Sequence, residues 1–467
     1  MASNEDPDPS DARRAGRAVR SVLPRSAHSE VALADRADPV DLLVEQAASR
    51  VADLVPVRYG RMLVSPFTFY RGAAKVMAAD LAASPNSGLT VQLCGDAHLM
   101  NFGGFASPER RLVFDLNDFD ETLPGPFEWD VKRLAASIEI AGRDRGLSSA
   151  ERVTSVASTV SAYRKAMVDF AAMKHLAVWY AHLDVEATFA EIGPQLSPQH
   201  RRRATKNLSA ARAKDSMRAF GRLTHVVDGT RRIISDPPIV VPTVDLLSAE
   251  QADRFERDLA VLLAGYRMTL SEDRRQLFDR YRLVDVARKV VGVGSVGTRA
   301  WILLFLGRDG DDPLFLQAKE AQASVLEGHA PASVHDNAGE RVVAGQRLMQ
   351  ASSDIFLGWQ RVPAETSMDG QSHDYYVRQL ADMKGSARVD RMDGSGLALY
   401  GRLCGWTLAR AHARSGDRIA IAAYLGRGSA FDRAITEFAS TYADQNERDH
   451  AALAQAAADG RITVQAG

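Results

Sequence analysis

Two patterns of hydrophobic positions alternate along the chain. Short apolar runs at residues 91–94, 111–114 and 301–306 have the length of β-strands, and turn-forming residues bound them. Other segments place their apolar residues on one face of a helix, as residues 131–138 and 403–411 do. Together the two patterns predict an α+β fold.

The segments around the first two predicted strands carry the strongest candidate chemistry. Residues 94–101 read Cys-Gly-Asp-Ala-His-Leu-Met-Asn, and residues 115–121 read Asp-Leu-Asn-Asp-Phe-Asp-Glu after a predicted hairpin. Phosphoryl transfer needs one carboxylate to orient the attacking hydroxyl, and an amide oxygen with a second carboxylate to hold Mg²⁺. Asp96, Asn101 and Asp118 supply this set, and the first two have the spacing of a kinase catalytic loop.

The neighbours of this set have alternative interpretations. His98 is expected to hydrogen-bond within the loop and to hold Asp96, with direct substrate contact or simple burial as the alternatives. Asp115 and Asp120 join Asp118 in an acidic cluster. Such a cluster could be a solvated turn, but carboxylates this dense beside a catalytic loop favour a divalent metal.

The residues of this region form an ordered set, namely Gly95, Asp96, His98 and Asn101, then Asp118, Phe119 and Asp120, then Gly125, Pro126 and Asp130. The set resembles the catalytic half of aminoglycoside phosphotransferases and related small-molecule kinases. The resemblance implies that Asp96 is the catalytic base and that Asn101 and Asp118 are metal ligands. Asp115 lies at the interval from Asn101 that is more usual in that family, so it is the alternative ligand. The residues after Asp118 favour Asp118, and Asp130 is expected to cap the helix that follows.

A kinase also needs a glycine loop over the phosphates and a lysine on a neighbouring strand. These features occur far downstream. Gly292, Gly294 and Gly297 lie between two predicted strands, and Lys319 ends a third. Glycines let the loop approach phosphates closely, and the lysine can reach them. Because a strand follows the glycines, the pattern differs from the strand-to-helix setting of a dinucleotide site.

Two further residues complete the predicted nucleotide site. Glu340, on a predicted helix, is expected to pair with Lys319, and Glu327 is the second choice. Residues 374–380 alternate and are rich in strand formers, so they predict a strand that enters an adenine-binding hinge near Gln379. ATP and Mg²⁺ are therefore the expected cofactors.

The two halves come in the opposite order from that of the phosphotransferases. The helix at 403–411 resembles the one that leads into their catalytic loop, yet no asparagine follows Asp417 five residues later. The sequence therefore predicts a circularly permuted, two-lobed, protein-kinase-like fold with extra helical elaboration. In such a fold Asp118 and Lys319 share one cleft and lie within about 10 Å of each other.

Four segments, 61–72, 94–103, 115–133 and 346–359, resemble a bacterial family known only as domain-of-unknown-function family 2252. This resemblance covers nearly the whole chain, and it implies no activity.

Five segments are predicted along the chain. They are a polar, arginine-containing tail at 1–38, the catalytic-loop half of the large lobe at 39–150, a helical part of that lobe at 151–280, a β-rich nucleotide-binding lobe at 281–385, and C-terminal helices packing on the large lobe at 386–467.

The composition and charge of the chain mainly exclude classes of function. Hydrophobic residues make up 46% of the 467 residues, which allows a sizeable core. A formal net charge of -1 gives no overall attraction to nucleic acid, and the apolar runs are too short to span a membrane. The first residues lack the apolar core of a signal peptide, and the only two cysteines are Cys94 and Cys404, so a cytoplasmic protein is expected.

The expected function is that of an ATP- and Mg²⁺-dependent phosphotransferase acting on a hydroxyl acceptor. A small-molecule acceptor is favoured over a protein, and no nucleic-acid or membrane partner is expected. Two alternatives stay open: nucleotidyl transfer to a protein hydroxyl, and a catalytically inactive ATP-binding module.

Overall fold

The computed structural model describes residues 8–195, 198–212, 216–227, 229–290, 296–367, 369–380, 383 and 385–465. It is a mixed α+β structure of helices and several antiparallel sheets, as the hydrophobic pattern predicts.

Part of the predicted polar N-terminal segment is helical. Its first helix begins after Asp8, whose carboxylate accepts a hydrogen bond from the second helical residue, with a proline at the first helical position. Arg20 then donates to the carbonyl of Tyr424, which docks this helix on the C-terminal part of the chain. The first five helices are α1 (Pro9–Val22), α2 (Pro39–Ala47), α3 (Val55–Met62), α4 (Pro66–Gly72) and α5 (Ala74–Ala82).

Two short antiparallel pairs follow and frame the loop at 94–101. The predicted order of strand, loop, hairpin and acidic turn is present, because β2 pairs with β3 and β1 pairs with the strand after the acidic turn. These strands are β1 (Thr90–Leu93), β2 (Phe102–Ala106), β3 (Leu112–Leu116) and β4 (Leu123–Pro126).

The middle of the chain is mostly helical, with short strands. Its elements are α6 (Phe127–Asp144), α7 (Ser149–Ala172), α8 (His175–Tyr180), β5 (Leu183–Asp184), α9 (Val185–Ile192), α10 (Pro198–Arg212), α11 (Ser216–Leu223), β6 (Thr224–Val227), β7 (Thr230–Ile233), β8 (Val240–Pro242), α12 (Ala249–Met268) and α13 (Glu272–Phe278).

A six-stranded antiparallel sheet forms the β-rich part, in the order β12-β13-β11-β10-β9-β8. Along the chain, the helix α14 lies between the strands β11 and β12 of this sheet. The elements are β9 (Arg282–Lys289), β10 (Ala300–Leu306), β11 (Pro313–Ala321), α14 (Ala338–Met349), β12 (Gly358–Val362), β13 (His373–Gln379) and the short β14 (Gly385–Ser386), which pairs with β2.

Three helices close the chain and build the largest hydrophobic core with α6 and α7. The first of these three helices, which contains Gly401 and Gly405, packs closely against α7 because both glycines face Thr159 of α7. A Cβ at Gly401 would lie 2.1 Å from the Thr159 hydroxyl, and one at Gly405 would lie 2.4 Å from the Thr159 carbonyl oxygen. The three helices are α15 (Gly394–Ser415), α16 (Arg418–Leu425) and α17 (Ala430–Ala458).

Candidate active site

The loop that follows β1 is anchored by hydrogen bonds to a residue of α6. Asp130 lies inside the first turn of α6, so it does not cap the helix as the sequence suggested. Its carboxylate instead accepts hydrogen bonds from the backbone nitrogens of Cys94 at 2.8 Å and Gly95 at 3.1 Å. Gly95 has a φ of 82°, and a Cβ there would lie 2.2 Å from the carbonyl oxygen of Glu121. Only glycine allows the loop and the acidic turn to come this close.

Asp96 is held by an arginine that the sequence reading did not select. Oδ1 of Asp96 lies 2.7 Å from Nη2 of Arg133, one helical turn after Asp130 on α6. Burial would raise the pKa of Asp96, but Arg133 and His98 outweigh it and lower the pKa below its usual value. The side chain of Asp96 keeps 18% of its surface exposed, so its ionised carboxylate remains partly accessible.

His98 faces Asp96 from within the same loop. Its Nδ1 accepts a hydrogen bond from the backbone nitrogen of Met100 at 3.1 Å, and its Nε2 lies 3.6 Å from Oδ2 of Asp96. Burial lowers the pKa of His98 to about 4, so the ring is neutral at pH 7. With Nδ1 as the acceptor, the proton sits on Nε2 and points toward Asp96.

Asn101 ties the end of the loop to its beginning. Its Nδ2 donates to the carbonyl of Asp96 at 2.7 Å, and its own carbonyl accepts from the backbone nitrogen of Asn117 at 2.9 Å. Because the amide nitrogen faces the loop, Oδ1 is the atom of this side chain that a cation would contact.

The acidic turn after β3 meets the six-stranded sheet. The carboxylate of Asp120 contacts the amine of Lys319 and accepts a hydrogen bond from the Tyr376 hydroxyl at 2.9 Å. Asp118 accepts from the backbone nitrogen of Asp120 at 3.2 Å. Burial and the charge of Asp120 raise the pKa of Asp118. Burial alone would lower the pKa of Lys319, but Asp118 and Asp120 raise it above its usual value.

Asp115, the alternative metal ligand suggested by its spacing, lies in a buried ion pair. It is 1% exposed and forms an ion pair with Arg410 of α15, which is equally buried. Its other hydrogen bonds come from the backbone nitrogens of Leu116 at 2.9 Å and Ala351 at 2.8 Å. Its oxygens are therefore occupied by protein groups, and it joins the hairpin to the helical core.

The predicted glycine loop is only partly described. Gly292 and Gly294 lie outside the described residues. Gly297 has a φ of 91°, which favours glycine, and its carbonyl accepts from the backbone nitrogen of Val51 at 2.8 Å. Just after it, Ala300 pairs directly with Lys319 across β10 and β11. The lysine therefore lies at the same end of the sheet as the loop.

Glu340 does not pair with Lys319, which contacts Asp120. Glu340 lies in the first turn of α14, and its carboxylate is 3.5 Å from Nδ1 of His335. The second choice, Glu327, accepts from the backbone nitrogen of Ser324 at 3.2 Å.

A neighbouring arginine of the same helix reaches the acidic turn instead. Arg341 donates to the carbonyls of Thr122 at 2.6 Å and Asp120 at 2.8 Å. Neighbouring residues of a helix point about 100° apart, so one position changes which side chain reaches the turn.

The predicted adenine contacts near Gln379 are already hydrogen-bonded within the protein. The backbone nitrogen of Gln379 donates to the carboxylate of Asp354, and that of Leu380 donates to the carbonyl of Phe315 at 3.0 Å. Residues 381, 382 and 384, which follow, lie outside the described residues.

Arg378 is a further residue that the sequence reading missed. It donates to the carbonyl of Asn117 at 3.2 Å, and its guanidinium lies 5.5 Å from the ring centre of Tyr376. It shares the lysine's face of the sheet because it lies two residues after Tyr376, which pairs with Lys319. The alternation of side chains along β13, counted from Tyr376, is the sequence signal that could have identified Arg378.

A cavity of about 1160 Å³ opens beside the acidic turn, and Asp120 and Glu121 line it. Glu121 accepts a hydrogen bond from the backbone nitrogen of Val325 at 2.7 Å. Burial raises the pKa of Glu121 to about 7. The cavity also has charged groups from the N-terminal part of the chain, among them Arg50 and Lys75.

The chain matches a family model over residues 50–456, and that family is described as an uncharacterized protein conserved in bacteria, DUF2252. The chain belongs to the DUF2252 family. No curated protein and no solved structure matches it. Among the helices of the described part of this DUF2252 chain, none is long and apolar enough to cross a membrane.

Asp118 and Asn101 carry oxygen donors of the kind that Mg²⁺ prefers. Within the described residues, no group of three or more His, Cys, Asp or Glu could hold a metal ion. Mg²⁺ is commonly held by one or two carboxylates together with waters and substrate phosphates. Asp118 and Oδ1 of Asn101 could provide such oxygens, while Asp120 is engaged by Lys319 and Tyr376.

Proposed function

We propose that the protein transfers the γ-phosphoryl group of ATP to a hydroxyl acceptor, within a circularly permuted kinase-like arrangement. One observation carries the proposal. Lys319 of the six-stranded sheet contacts the acidic turn that follows the Asp96 loop, although 199 residues separate it from Asp120. A lysine for phosphates, carboxylates for a metal and a carboxylate for the acceptor are the parts that phosphoryl transfer needs.

The order of elements in the β-rich part supports the same proposal. A hairpin, β9 and β10, brackets the glycines, and the next strand, β11, carries Lys319 two residues before its end and is followed by a helix and two more strands. This is the order that the kinase resemblance implies.

Each residue has a separate task in the proposed reaction. The acceptor oxygen forms a bond to the γ-phosphorus while the bond from that phosphorus to the bridging oxygen breaks, and ADP leaves with the electron pair. The acceptor proton passes to Asp96. Because its pKa is lowered, Asp96 mainly orients the hydroxyl and takes the proton late, once the oxygen has begun to bond to phosphorus. Lys319 positions the phosphates.

Mg²⁺, held by Asn101 and Asp118, would neutralise charge on the phosphates. His98 and Arg133 hold Asp96 in place. The polar cavity beside Asp120 and Glu121 suits a small acceptor that carries hydroxyl groups, which favours a small molecule over a protein.

The test distinguishes phosphoryl transfer from nucleotidyl transfer by the position of the label on ATP. The protein is incubated with Mg²⁺, a panel of small polyols and sugars, and ATP labelled at either the γ- or the α-phosphate. Transfer of γ-label to a small molecule supports the proposal. Transfer of α-label to protein would replace it with nucleotidyl transfer, and ATP binding without either transfer would replace it with a silent nucleotide-binding module.

Variants make the test specific for Asp96. Asp96→Asn keeps the shape of the side chain and should reduce γ-transfer by on the order of a hundredfold or more, with ATP affinity changed only a few-fold. Asp144→Asn, at an exposed position near the end of α6, is the matched control and should be fully active. Undiminished transfer by Asp96→Asn would refute the assignment of the base.

A further inference from the structure

An apolar cavity of about 460 Å³ lies on the other face of the six-stranded sheet from Lys319. Ala318 and Tyr375 line it, whereas their neighbours Lys319 and Tyr376 contact Asp120. Successive side chains of a strand point to opposite faces of a sheet, so the cavity lies on the opposite face from Lys319, and Arg50 and Arg299 at its edge also line the cavity beside Asp120.

The walls of this cavity come from the sheet and from α12. Protein interiors are close-packed, and voids much larger than a water molecule are few. Pockets that hold small molecules have volumes of roughly 300–1,000 Å³ and mostly apolar walls with a few polar groups. The cavity has both properties. Its apolar side chains include Phe255, Leu259 and Leu263 of α12 and Trp301, Leu303 and Leu316 of the sheet.

Two arginines on the wall have buried nitrogens that lack a partner. The Nε atoms of Arg288 and Arg50 are buried and donate no hydrogen bond within the described residues. Arg288 pairs directly with Trp301 across β9 and β10, so its side chain starts from the apolar wall itself. A buried donor left without an acceptor is unfavourable, and a charged one more so.

The carboxylates on the wall are engaged elsewhere. Asp258 lies 3.5 Å from the guanidinium of Arg254 on its own helix. Asp369 contacts Arg299 and lies 2.9 Å from Nε2 of His373. An anion from outside the described chain is therefore the group that would complement Arg288.

We propose that this cavity binds an anionic amphiphile, a small molecule with an extended apolar body and one carboxylate or phosphate. The apolar body lies between α12 and the sheet, and the anion contacts Arg288 and Arg50. Arg288 does not line the cavity beside Asp120, so its substitution tests this site separately from the proposed phosphotransfer site, whereas Arg50 lines both cavities.

The experiment measures binding of cis-parinaric acid, whose fluorescence rises in apolar surroundings, and of its uncharged methyl ester. Wild-type protein should bind the acid more tightly than the ester. Arg288→Met should weaken binding of the acid by about tenfold or more and leave the ester unchanged, since a hydrogen bond to a charged group is lost. Arg282→Met, an exposed arginine on the same strand, is the matched control and should change neither.

Filling the cavity tests its location. Leu263→Trp should weaken binding of both probes, and Leu259→Trp fills the same space one turn earlier if the first variant does not fold. Competition by palmitate and by hexadecyl phosphate shows which head group is preferred. The proposal is overturned if wild-type protein does not bind the acid, if Arg288→Met affects acid and ester equally, or if a folded cavity-filling variant binds both as well as wild type.

Discussion

Replacing Lys319 by methionine tests whether its ion pair joins the two halves of the molecule. The lysine side chain is 4% exposed and that of Asp120 is 23% exposed. Removing one partner of a buried ion pair costs about 3–5 kcal/mol, because the remaining charge is left without compensation. Asp120 keeps the Tyr376 hydroxyl and some contact with solvent, so we expect the lower end, about 3 kcal/mol of unfolding free energy.

The loss should depend on pH through Asp120. Burial raises the pKa of this carboxyl, but Lys319 outweighs it and the folded pKa is lowered. The pair therefore stabilises the fold above the unfolded aspartate pKa of about 3.9, and this contribution disappears as the pH falls through the lower folded value. Without the lysine, Asp118 and Asp120 repel, and one of them takes up a proton in mild acid. The difference between wild type and Lys319→Met should be largest near pH 7 and shrink toward pH 4.

Urea unfolding followed by tryptophan fluorescence measures this difference. The set contains Lys319→Met, Asp120→Asn, the double variant, and Lys165→Met as the exposed-lysine control. The double variant leaves no unpaired charge and should be less destabilised than the sum of the two single variants, as expected for residues in contact. A loss that is independent of pH, or single effects that simply add, would refute the reasoning.

Three other predictions test the site in different ways. Asp118→Asn should weaken Mg²⁺-dependent ATP binding by about tenfold or more in calorimetry, whereas Asp115→Asn should mainly lower the unfolding midpoint, because its ion pair is structural; the reverse ranking would make Asp115 the ligand. Glu121 has a folded pKa of about 7, so its ionisation destabilises the fold as the pH rises from about 4.5 to 7. Glu121→Gln should remove that decline, worth about 3 kcal/mol at pH 8, and equal pH profiles would contradict the assignment. Gly95→Ala should cost several times more stability in thermal melts than Gly88→Ala, for which about 1 kcal/mol is expected; both have positive φ, but only the first meets a backbone atom, and equal losses would exclude the clash.

Local pattern was enough to predict the elements around the Asp96 loop. The strands at 91–94 and 111–114 appear as β1 and β3 with small shifts of their ends, and the strand that ends in Lys319 appears as β11. These segments combine a short apolar run with turn residues on either side, and both signals act between near neighbours. The side of the sheet on which Lys319 lies then follows from the alternation of side chains.

The partners of the charged residues could not be predicted in the same way. Asp115 pairs with Arg410, which is 295 residues away, and no periodicity links the two. The spacing of Asp115 from Asn101 fits a metal ligand as well as it fits a buried ion pair, so spacing alone could not separate the two roles. The burial of Asp115 beside Arg410 favours the ion pair, and this burial depends on how α15 packs against the hairpin.

The pairing of Lys319 shows how one acidic turn can provide two functions. A kinase-like site was expected to take the lysine's partner from the helix after its strand, but α14 directs Arg341 to the turn and leaves Glu340 beside His335. Asp120 holds the lysine instead, two residues after Asp118. The residue that would bind the metal and the residue that holds the lysine then belong to one rigid segment. Any movement of the six-stranded sheet relative to this segment would have to break the contact with Asp120, so the proposed site depends on that ion pair more directly than on the position of α14.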